Sequence, residues 1–105
     1  MSQIIQIVTT TGSQGDAEQL ARALVDQRLA ACVQIVGPIA SVYRWQGKVE
    51  TASEWQCLAK TRRDLFDRVA VRIRQLHAYE TPEIIAVPVE LGLPEYLDWL
   101  QEQVS

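Results

Sequence analysis

The sequence predicts an α+β fold, in which two amphipathic helices pack on one face of a four-stranded antiparallel sheet. Two observations carry this prediction: apolar residues recur at helical spacing in three segments, and β-branched or strictly alternating segments lie between them. The chain has no internal repeat, low-complexity stretch or linker, so all of residues 1–105 are assigned to one domain.

The first half begins with a strand and a helix. Residues 4–9 are short and β-branched, as strands are. Ser13 and Asp16 resemble a helix-capping pair. The helix behind them presents five apolar residues at helical spacing: Ala17, Leu20, Ala21, Leu24 and Val25. A second strand covers residues 31–36, and we expect Gly37-Pro38 to bend or bulge it, because residues 39–45 resume strand character.

Gln46-Gly47 is the predicted turn of a hairpin, and clean alternation follows it. One face carries Lys48, Glu50, Glu54 and Gln56, and the other Val49, Trp55, Cys57 and Ala59. We interpret Thr61 with Asp64 as a second capping pair. It opens a helix whose predicted buried stripe is Phe66, Val69, Ala70, Ile73 and Leu76.

The C-terminal third supplies the last strand, residues 83–89, and a short helix. Pro94 suits the first turn of that helix, which carries Tyr96, Leu97, Trp99 and Leu100. The element order is therefore β-α-β-β-α-β with a C-terminal helix. This order is typical of the ferredoxin-like, or split βαβ, sandwich.

The length of the hairpin predicts an oligomer. Residues 49–60 form a strand of about a dozen residues, on the order of 40 Å long. A compact chain of this size has a radius of gyration of roughly 13 Å. The end of the hairpin, with Tyr43, Trp45 and Trp55 near it, should therefore extend past the helices and expose strand edges and apolar surface. Pairing with another copy covers both, and the alternative is a strand bent back onto its own core.

Composition restricts the classes of partner and compartment. The net charge of -3 argues against a nucleic-acid surface, which needs clustered Lys and Arg. Residues 1–3 lack a basic n-region and the apolar run after them is short, so no signal peptide is expected, and no segment reaches membrane-spanning length. The two cysteines, Cys32 and Cys57, lie in apolar contexts. We therefore expect a cytoplasmic protein with reduced thiols and no membrane partner.

The densest polar cluster is residues 77–83, between an apolar helix and an apolar strand. It includes the single histidine, His77, with Tyr79, Glu80 and Glu83. A loop there needs polar residues to satisfy its backbone, so a structural role is as plausible as a ligand or metal contact. Catalytic signatures such as a phosphate-binding glycine loop, CxxC, HExxH or a serine elbow are absent, so we do not expect an enzyme.

Cys32 suits a small buried hydrophobic position better than a reactive one. With the turn near Gln46-Gly47, residue 32 should lie opposite residues near 60. Cys57 is then about three positions out of register, roughly 10 Å away, and beyond disulfide reach. A thiolate and an imidazole suit a soft ion such as Cu(I), although two ligands alone do not define a metal site.

These segments resemble one family, the CutA divalent-cation tolerance proteins. The matching stretches cover nearly the whole chain in order: ARALV (21–25), RLAACV (28–33), SVYRWQGK (41–48), EWQCLAKT (54–61), HAYETPEII (77–85) and YLDWL (96–100). The resemblance implies a homotrimer similar to the PII signalling proteins, with clefts between subunits. It implies a cleft lining of Cys32, Lys60, His77, Tyr79, Glu80 and Glu83, with Trp45 nearby.

Three departures from the family pattern affect that cleft. Gln34 stands where the family usually has Asn, Ala78 stands where it usually has Pro, and residues 10–15 are looser than the usual Thr-x-Pro. These changes leave the fold intact and bear on ligand geometry.

Two functions remain open. The first is a trimer that binds copper or another divalent cation, with Cys32 and His77 as the leading ligands and no other cofactor required. The second is a PII-like signalling or scaffold module that binds a small anionic or zwitterionic metabolite without a metal role. There, Lys60 would meet a carboxylate, and Glu80 or Glu83 an amine or hydroxyls.

Overall fold

The computed structural model describes residues 3–105. Met1 and Ser2, which begin the predicted domain and the segment without a predicted signal peptide, lie outside the described residues. Within residues 3–105 the strands and α-helices follow in this order: β1 (Ile4–Thr11), α1 (Gln14–Asp26), β2 (Cys32–Trp45), β3 (Lys48–Arg62), α2 (Phe66–Leu76), β4 (Ile85–Pro88) and α3 (Pro94–Gln103). The sheet order is β2-β3-β1-β4, with every neighbouring pair antiparallel. The predicted ferredoxin-like fold is confirmed.

Helix α1 begins as its sequence predicts. The Ser13 hydroxyl accepts the Asp16 backbone N–H at 3.1 Å, and so caps the helix. Ala17, Leu20 and Leu24 are buried, but Val25 is 41% exposed. Helical spacing with the other four apolar residues therefore does not bring Val25 into the core.

The predicted capping pair of α2 is wrong. Strand β3 continues to Arg62, and Thr61 is fully buried, with its hydroxyl donating to the Leu29 carbonyl at 2.7 Å. The Asp64 carboxylate binds Arg62 at 3.0 Å instead. A 3₁₀ turn, Arg63–Leu65, joins β3 to α2 without a side-chain cap. Thr61 continues the inward alternation of β3, and that periodicity overrides the local capping pattern.

The buried stripe of α2 and the bounds of the last strand differ slightly from their predictions. In α2, Val69 and Ile73 are buried, whereas Phe66, Ala70 and Leu76 are partly buried. Strand β4 is shorter than the predicted 83–89, because its pairing with β1 runs only from Ile85 opposite Val8 to Pro88 opposite Ile5. No helix in the described part of the chain is long and apolar enough to cross a membrane.

The hairpin of β2 and β3 is the dominant shape of the molecule. Gln46 and Gly47 have φ of 51° and 81°, as a two-residue turn between paired Trp45 and Lys48 requires. The expected irregularity at Gly37-Pro38 is present as a register shift between Val36 and Ile39.

The far end of this hairpin extends beyond the rest of the subunit. Strand β1 ends at Thr11 opposite Trp55. Among residues 3–105, the two segments 39–45 and 48–54, here called the distal ribbon, therefore pair only with each other. The subunit measures 45 × 25 × 23 Å, and Val42 is 69% exposed on the ribbon. The overhang is therefore confirmed. Isolated two-stranded ribbons are marginally stable in water, so this one calls for a partner surface.

Candidate functional site

The loop of residues 77–84, which joins α2 to β4, folds back against the end of β1. His77 Nε2 lies 2.6 Å from the Thr10 carbonyl oxygen, and the Tyr79 backbone N–H donates to His77 Nδ1 at 3.0 Å. A backbone N–H only donates, so Nδ1 carries no proton and the neutral ring holds its proton on Nε2. Both ring nitrogens of His77 are thus engaged within the subunit. A metal ion can bind this ring only after one of the two hydrogen bonds is broken.

Tyr79 connects the loop to the hairpin through Glu54. The Tyr79 hydroxyl donates to Glu54 Oε2 at 2.9 Å, and only 9% of Glu54 is exposed. Burial raises the pKa of Tyr79 to about 12, and the hydrogen bond and charge of Glu54 add to the rise. The sequence analysis placed Glu54 on the polar face of the hairpin and missed it as a site residue. The alternation along β3 gives no sign that Glu54 is buried. The burial comes from Tyr79, which lies 25 positions away in the sequence.

A hollow of about 230 Å³ lies beside this pair, between the loop and the first turn of α1. Its lining includes Ser13, Asp16, His77 and Tyr79. At Gly12 an added Cβ would stand 3.2 Å from the Tyr79 hydroxyl, so the glycine lets the ring approach closely. Asp16 is part of this lining, and its charge adds a smaller rise to the pKa of Tyr79.

A second group of predicted site residues gathers around Cys32 at the other end of the sheet. Cys32 is paired with Lys60, whose ammonium donates to Gln34 Oε1 at 2.6 Å. The departure at Gln34 therefore supplies a partner for Lys60. Burial raises the pKa of Tyr96 in α3, and a hydrogen bond with Cys32 contributes to the rise.

The thiols of Cys32 and Cys57 lie on opposite faces of the sheet and are both free. Cys57 pairs with Ile35, three positions from the Cys32–Lys60 pair, so the predicted absence of a disulfide is confirmed. Its sulfur points to α1, 4.0 Å from the Ala17 carbonyl, and burial raises its pKa to about 11.

One subunit does not bring all the predicted residues together. Cys32 shares a row of the sheet with Gln6, whereas His77 contacts Thr10, four residues along β1. That is about 13 Å along the strand, and β2 and β1 are about 10 Å apart across it. Trp45 pairs with Lys48 at the tip, roughly 20 Å along β3 from Glu54.

The carboxylates of the 77–84 loop do not bridge the distance between Cys32 and His77. Glu80 and Glu83 are exposed on the 77–84 loop. Across residues 3–105, no group of three or more His, Cys, Asp and Glu residues is arranged to hold a metal ion.

The comparisons with a family model and with known proteins point to the same family. The family model described as CutA1 divalent ion tolerance protein matches residues 5–103. The divalent-cation tolerance protein CutA of Thermus thermophilus is 46% identical over 99 residues, which are 94% of this chain and 96% of that protein.

Solved structures agree. CutA from Xylella fastidiosa superposes with a TM-score of 0.96 at 43% identity, covering 99% of this chain and 100% of that one. The periplasmic divalent cation tolerance protein CutA from Archaeoglobus fulgidus gives a TM-score of 0.94 at 42% identity, with 97% and 99% covered. The match spans the sheet, the long hairpin and the 77–84 loop, and the chain therefore belongs to the CutA1 divalent ion tolerance protein family.

Proposed function

We propose that this chain acts in divalent-cation tolerance as a homotrimer that binds its cation where subunits meet, with copper the first ion to test. The observation that carries the proposal is the separation of Cys32 from His77 within one subunit. The donor types suit a cation, but their positions suit one only when a neighbouring copy completes the set. The role is binding, and catalysis is not part of it.

The surfaces of the subunit support assembly. Strands β2 and β4 are the two edges of the sheet, and both expose apolar side chains. Val42 and Val49 are 69% and 64% exposed on the distal ribbon, and Ile85 is 52% exposed on β4. Unpaired edges with apolar side chains are surfaces that proteins cover. Three copies related by a closed rotation can cover each edge with a neighbour.

Cys32 is the leading ligand of the proposed site. Its thiol is partly exposed and lies opposite Lys60 on the neighbouring strand. His77 joins the site only if it gives up its bond to Thr10 or to Tyr79. Glu80 and Glu83 are exposed on the same loop and suit a supporting role.

Calorimetry of the purified oligomer with Cu(I), Cu(II) and Zn(II) tests this proposal. We expect micromolar or tighter binding to the parent protein, and its loss in Cys32→Ser. His77→Ala should weaken binding if the ring joins the site. Cys57→Ser is the matched control, because the Cys57 thiol is buried against α1 and should leave binding unchanged. Unaltered affinity in both the Cys32 and His77 variants would contradict the proposed ligands.

A PII-like module that binds a small metabolite between subunits is the second candidate. The hollow beside Tyr79 supports it, because the Asp16 carboxylate and the Tyr79 phenol, next to the N-terminus of α1, can recognise an amine and an anionic group on one small molecule. Lys60, Glu80, Glu83 and Trp45 would contribute from the neighbouring surfaces. Thermal stabilisation by a panel of amino acids and nucleotides, together with indifference to metals, would favour this candidate. Lys60→Gln and Glu83→Gln should then abolish the stabilisation.

We propose a cytoplasmic location, supported by two free cysteines in a chain of this size. The Archaeoglobus fulgidus relative is called periplasmic, so location is a property to be measured for each member. Fractionation of cells that express the full-length protein tests this directly.

A further inference from the structure

Glu54 is an almost enclosed carboxylate without a cationic partner in its own subunit. Only 9% of the residue is exposed, and within residues 3–105 its side chain accepts one hydrogen bond, from the Tyr79 hydroxyl to Oε2 at 2.9 Å. No Lys or Arg in that range lies within ion-pair distance of it. A carboxylate can accept about four hydrogen bonds, and a charge withdrawn from water is costly unless an opposite charge accompanies it. Most of the binding capacity of Glu54 is therefore unused within the chain.

The groups near Glu54 suit a positively charged nitrogen. Burial is the main cause of the raised pKa of Tyr79, and further rises come from Glu54, Tyr43 and Asp16. These groups are two carboxylates and a second phenol, and none of them is basic. Phenol rings attract cations over their faces, and the second carboxylate adds to the negative charge. The surroundings of the Tyr79–Glu54 pair are therefore aromatic and anionic.

A small molecule can approach Glu54 from the hollow beside Tyr79. Gly12 and Tyr79 both line that hollow, and a Cβ added at Gly12 would stand 3.2 Å from the Tyr79 hydroxyl. Glu54 Oε2 is 2.9 Å from the same hydroxyl. A cationic group in the hollow of about 230 Å³ therefore has only the Tyr79 phenol between itself and the carboxylate.

The distal ribbon offers a second source of positive charge. Arg44 and Lys48 are exposed near its tip, and neither side chain makes a hydrogen bond or an ion pair within residues 3–105. Lys48 is six residues along β3 from Glu54, which is roughly 20 Å, so the two cannot meet in one subunit. The ribbon itself calls for a partner surface. Its tip can therefore bring a cation to Glu54 of another copy.

We propose that Glu54 is a binding residue for a cationic nitrogen group, an ammonium or a guanidinium, supplied from outside its own chain. Arg44 or Lys48 of a neighbouring copy and a free small amine share this chemistry. The Tyr79 hydroxyl holds one oxygen of the carboxylate and leaves the other for the cation. The first source rests on the proposed oligomer. Neither source depends on the metal site, so both are tested on metal-free protein.

Subunit exchange tests the neighbouring copy as the source. Oligomers of one variant, unlabelled and ¹⁵N-labelled, are mixed and followed by native mass spectrometry. Glu54→Gln removes the charge but keeps an acceptor for Tyr79, so exchange should be roughly three- to fivefold faster, as loss of a partly solvated ion pair implies. Glu50→Gln, an exposed carboxylate on the same strand, is the matched control and should exchange at the parental rate. Arg44→Gln or Lys48→Gln should reproduce the increase and add nothing to Glu54→Gln.

Thermal unfolding tests a free amine as the source. Butylamine supplies an ammonium and agmatine also supplies a guanidinium, while butanol is the uncharged control. Millimolar amine should raise the melting temperature of the parent and of Glu50→Gln by about 2 °C or more, because a ligand that binds only the folded state stabilises it. Butanol should give no such rise. Glu54→Gln should respond to neither amine.

The proposal is overturned if Glu54→Gln exchanges at the parental rate and also melts like the parent at every amine concentration. If the parent is a single chain, the amine measurement alone decides. If Glu54→Gln does not fold, parental exchange in the Arg44 and Lys48 variants, together with no amine response in the parent, overturns it. Calorimetry with Cu(I) reads the metal site separately: Glu54→Gln should keep the metal affinity that Cys32→Ser is expected to lose.

Discussion

Removal of the Tyr79 hydroxyl tests whether Glu54 is a site residue or a passive part of the hairpin. The bond it donates is 2.9 Å long, and the accepting carboxylate is 9% exposed. Hydrogen bonds to charged groups contribute about 1.5–3 kcal/mol. Tyr79 is itself 39% exposed, so water competes for the bond and the lower end of that range applies. We therefore expect Tyr79→Phe to lower the free energy of unfolding by about 1.5 kcal/mol per subunit.

A double-mutant cycle with Glu54→Gln isolates the pair. The amide oxygen of Gln still accepts a hydrogen bond, so the single substitution should cost less, and the coupling energy should be about 1 kcal/mol. Unfolding in guanidinium is measured at one fixed protomer concentration for all variants, because the stability of an oligomer depends on concentration. Additive effects of the two substitutions would show that the residues do not interact.

The ionisation of Tyr79 gives an independent readout. Its folded-state pKa is raised to about 12 from the ordinary 10.0, so its neutral form is favoured by folding. The resulting stabilisation is fully present below pH 10 and is lost as the pH rises through about 12. Because burial is the largest cause, Glu54→Gln should lower this pKa only part of the way back. The Tyr79 titration is read as the ultraviolet difference between a protein with Tyr79 and its Tyr79→Phe variant. The same Tyr79 titration in the parent protein and in Glu54→Gln would contradict the reasoning.

Three further perturbations have expected outcomes. Gly37→Ala should lower the free energy of unfolding, measured in denaturant, by about 1–3 kcal/mol, because the new Cβ would lie 2.5 Å from Trp55 Cδ1. Gly15→Ala is the matched control, because a Cβ added there meets nothing within 4 Å. With its pKa raised to about 11, Cys57 should not react with a disulfide reagent at pH 8, so native protein should show at most one reactive thiol per chain and denatured protein two. Val42→Lys should change subunit stability by less than about 0.5 kcal/mol, because the side chain is 69% exposed, yet it should weaken the oligomer in light scattering.

Periodicity and turn chemistry allowed the sheet to be predicted with useful accuracy. The turn at Gln46-Gly47 was enough to place Cys32 opposite a residue near 60, and the structure pairs it with Lys60. The irregularity at Gly37-Pro38 shifts the pairing of β2 with β3 by one residue only, so the predicted register stays close on both sides of it. The length of β3 likewise predicted the overhang of the distal ribbon.

Local patterns failed where a distant segment decides the environment. Thr61 with Asp64 has the pattern of a helix start, yet Thr61 is buried on the core side of β3, where its hydroxyl donates a hydrogen bond to the Leu29 carbonyl. Glu54 reads as an outward-facing charge, and only the return of the 77–84 loop buries it under Tyr79.

The candidate site was predictable as residue types but not as an arrangement. The sequence grouped His77 with Tyr79 correctly, since both lie in one loop. It assigned Cys32 and His77 to one cleft between subunits, and within a single chain the sheet separates them by several residues along β1 and two strands across. Which copies of the chain meet is a property of the assembly, and no spacing within one chain encodes it directly.

Sedimentation equilibrium of the purified protein at micromolar concentration tests the central claim most directly, since the proposed cation site and the cover of the distal ribbon both require further copies of the chain. We predict a single species of three times the 11.8 kDa chain mass, unchanged on tenfold dilution. A mass equal to that of one chain would contradict the account, because the distal ribbon would then stand exposed in a stable protein.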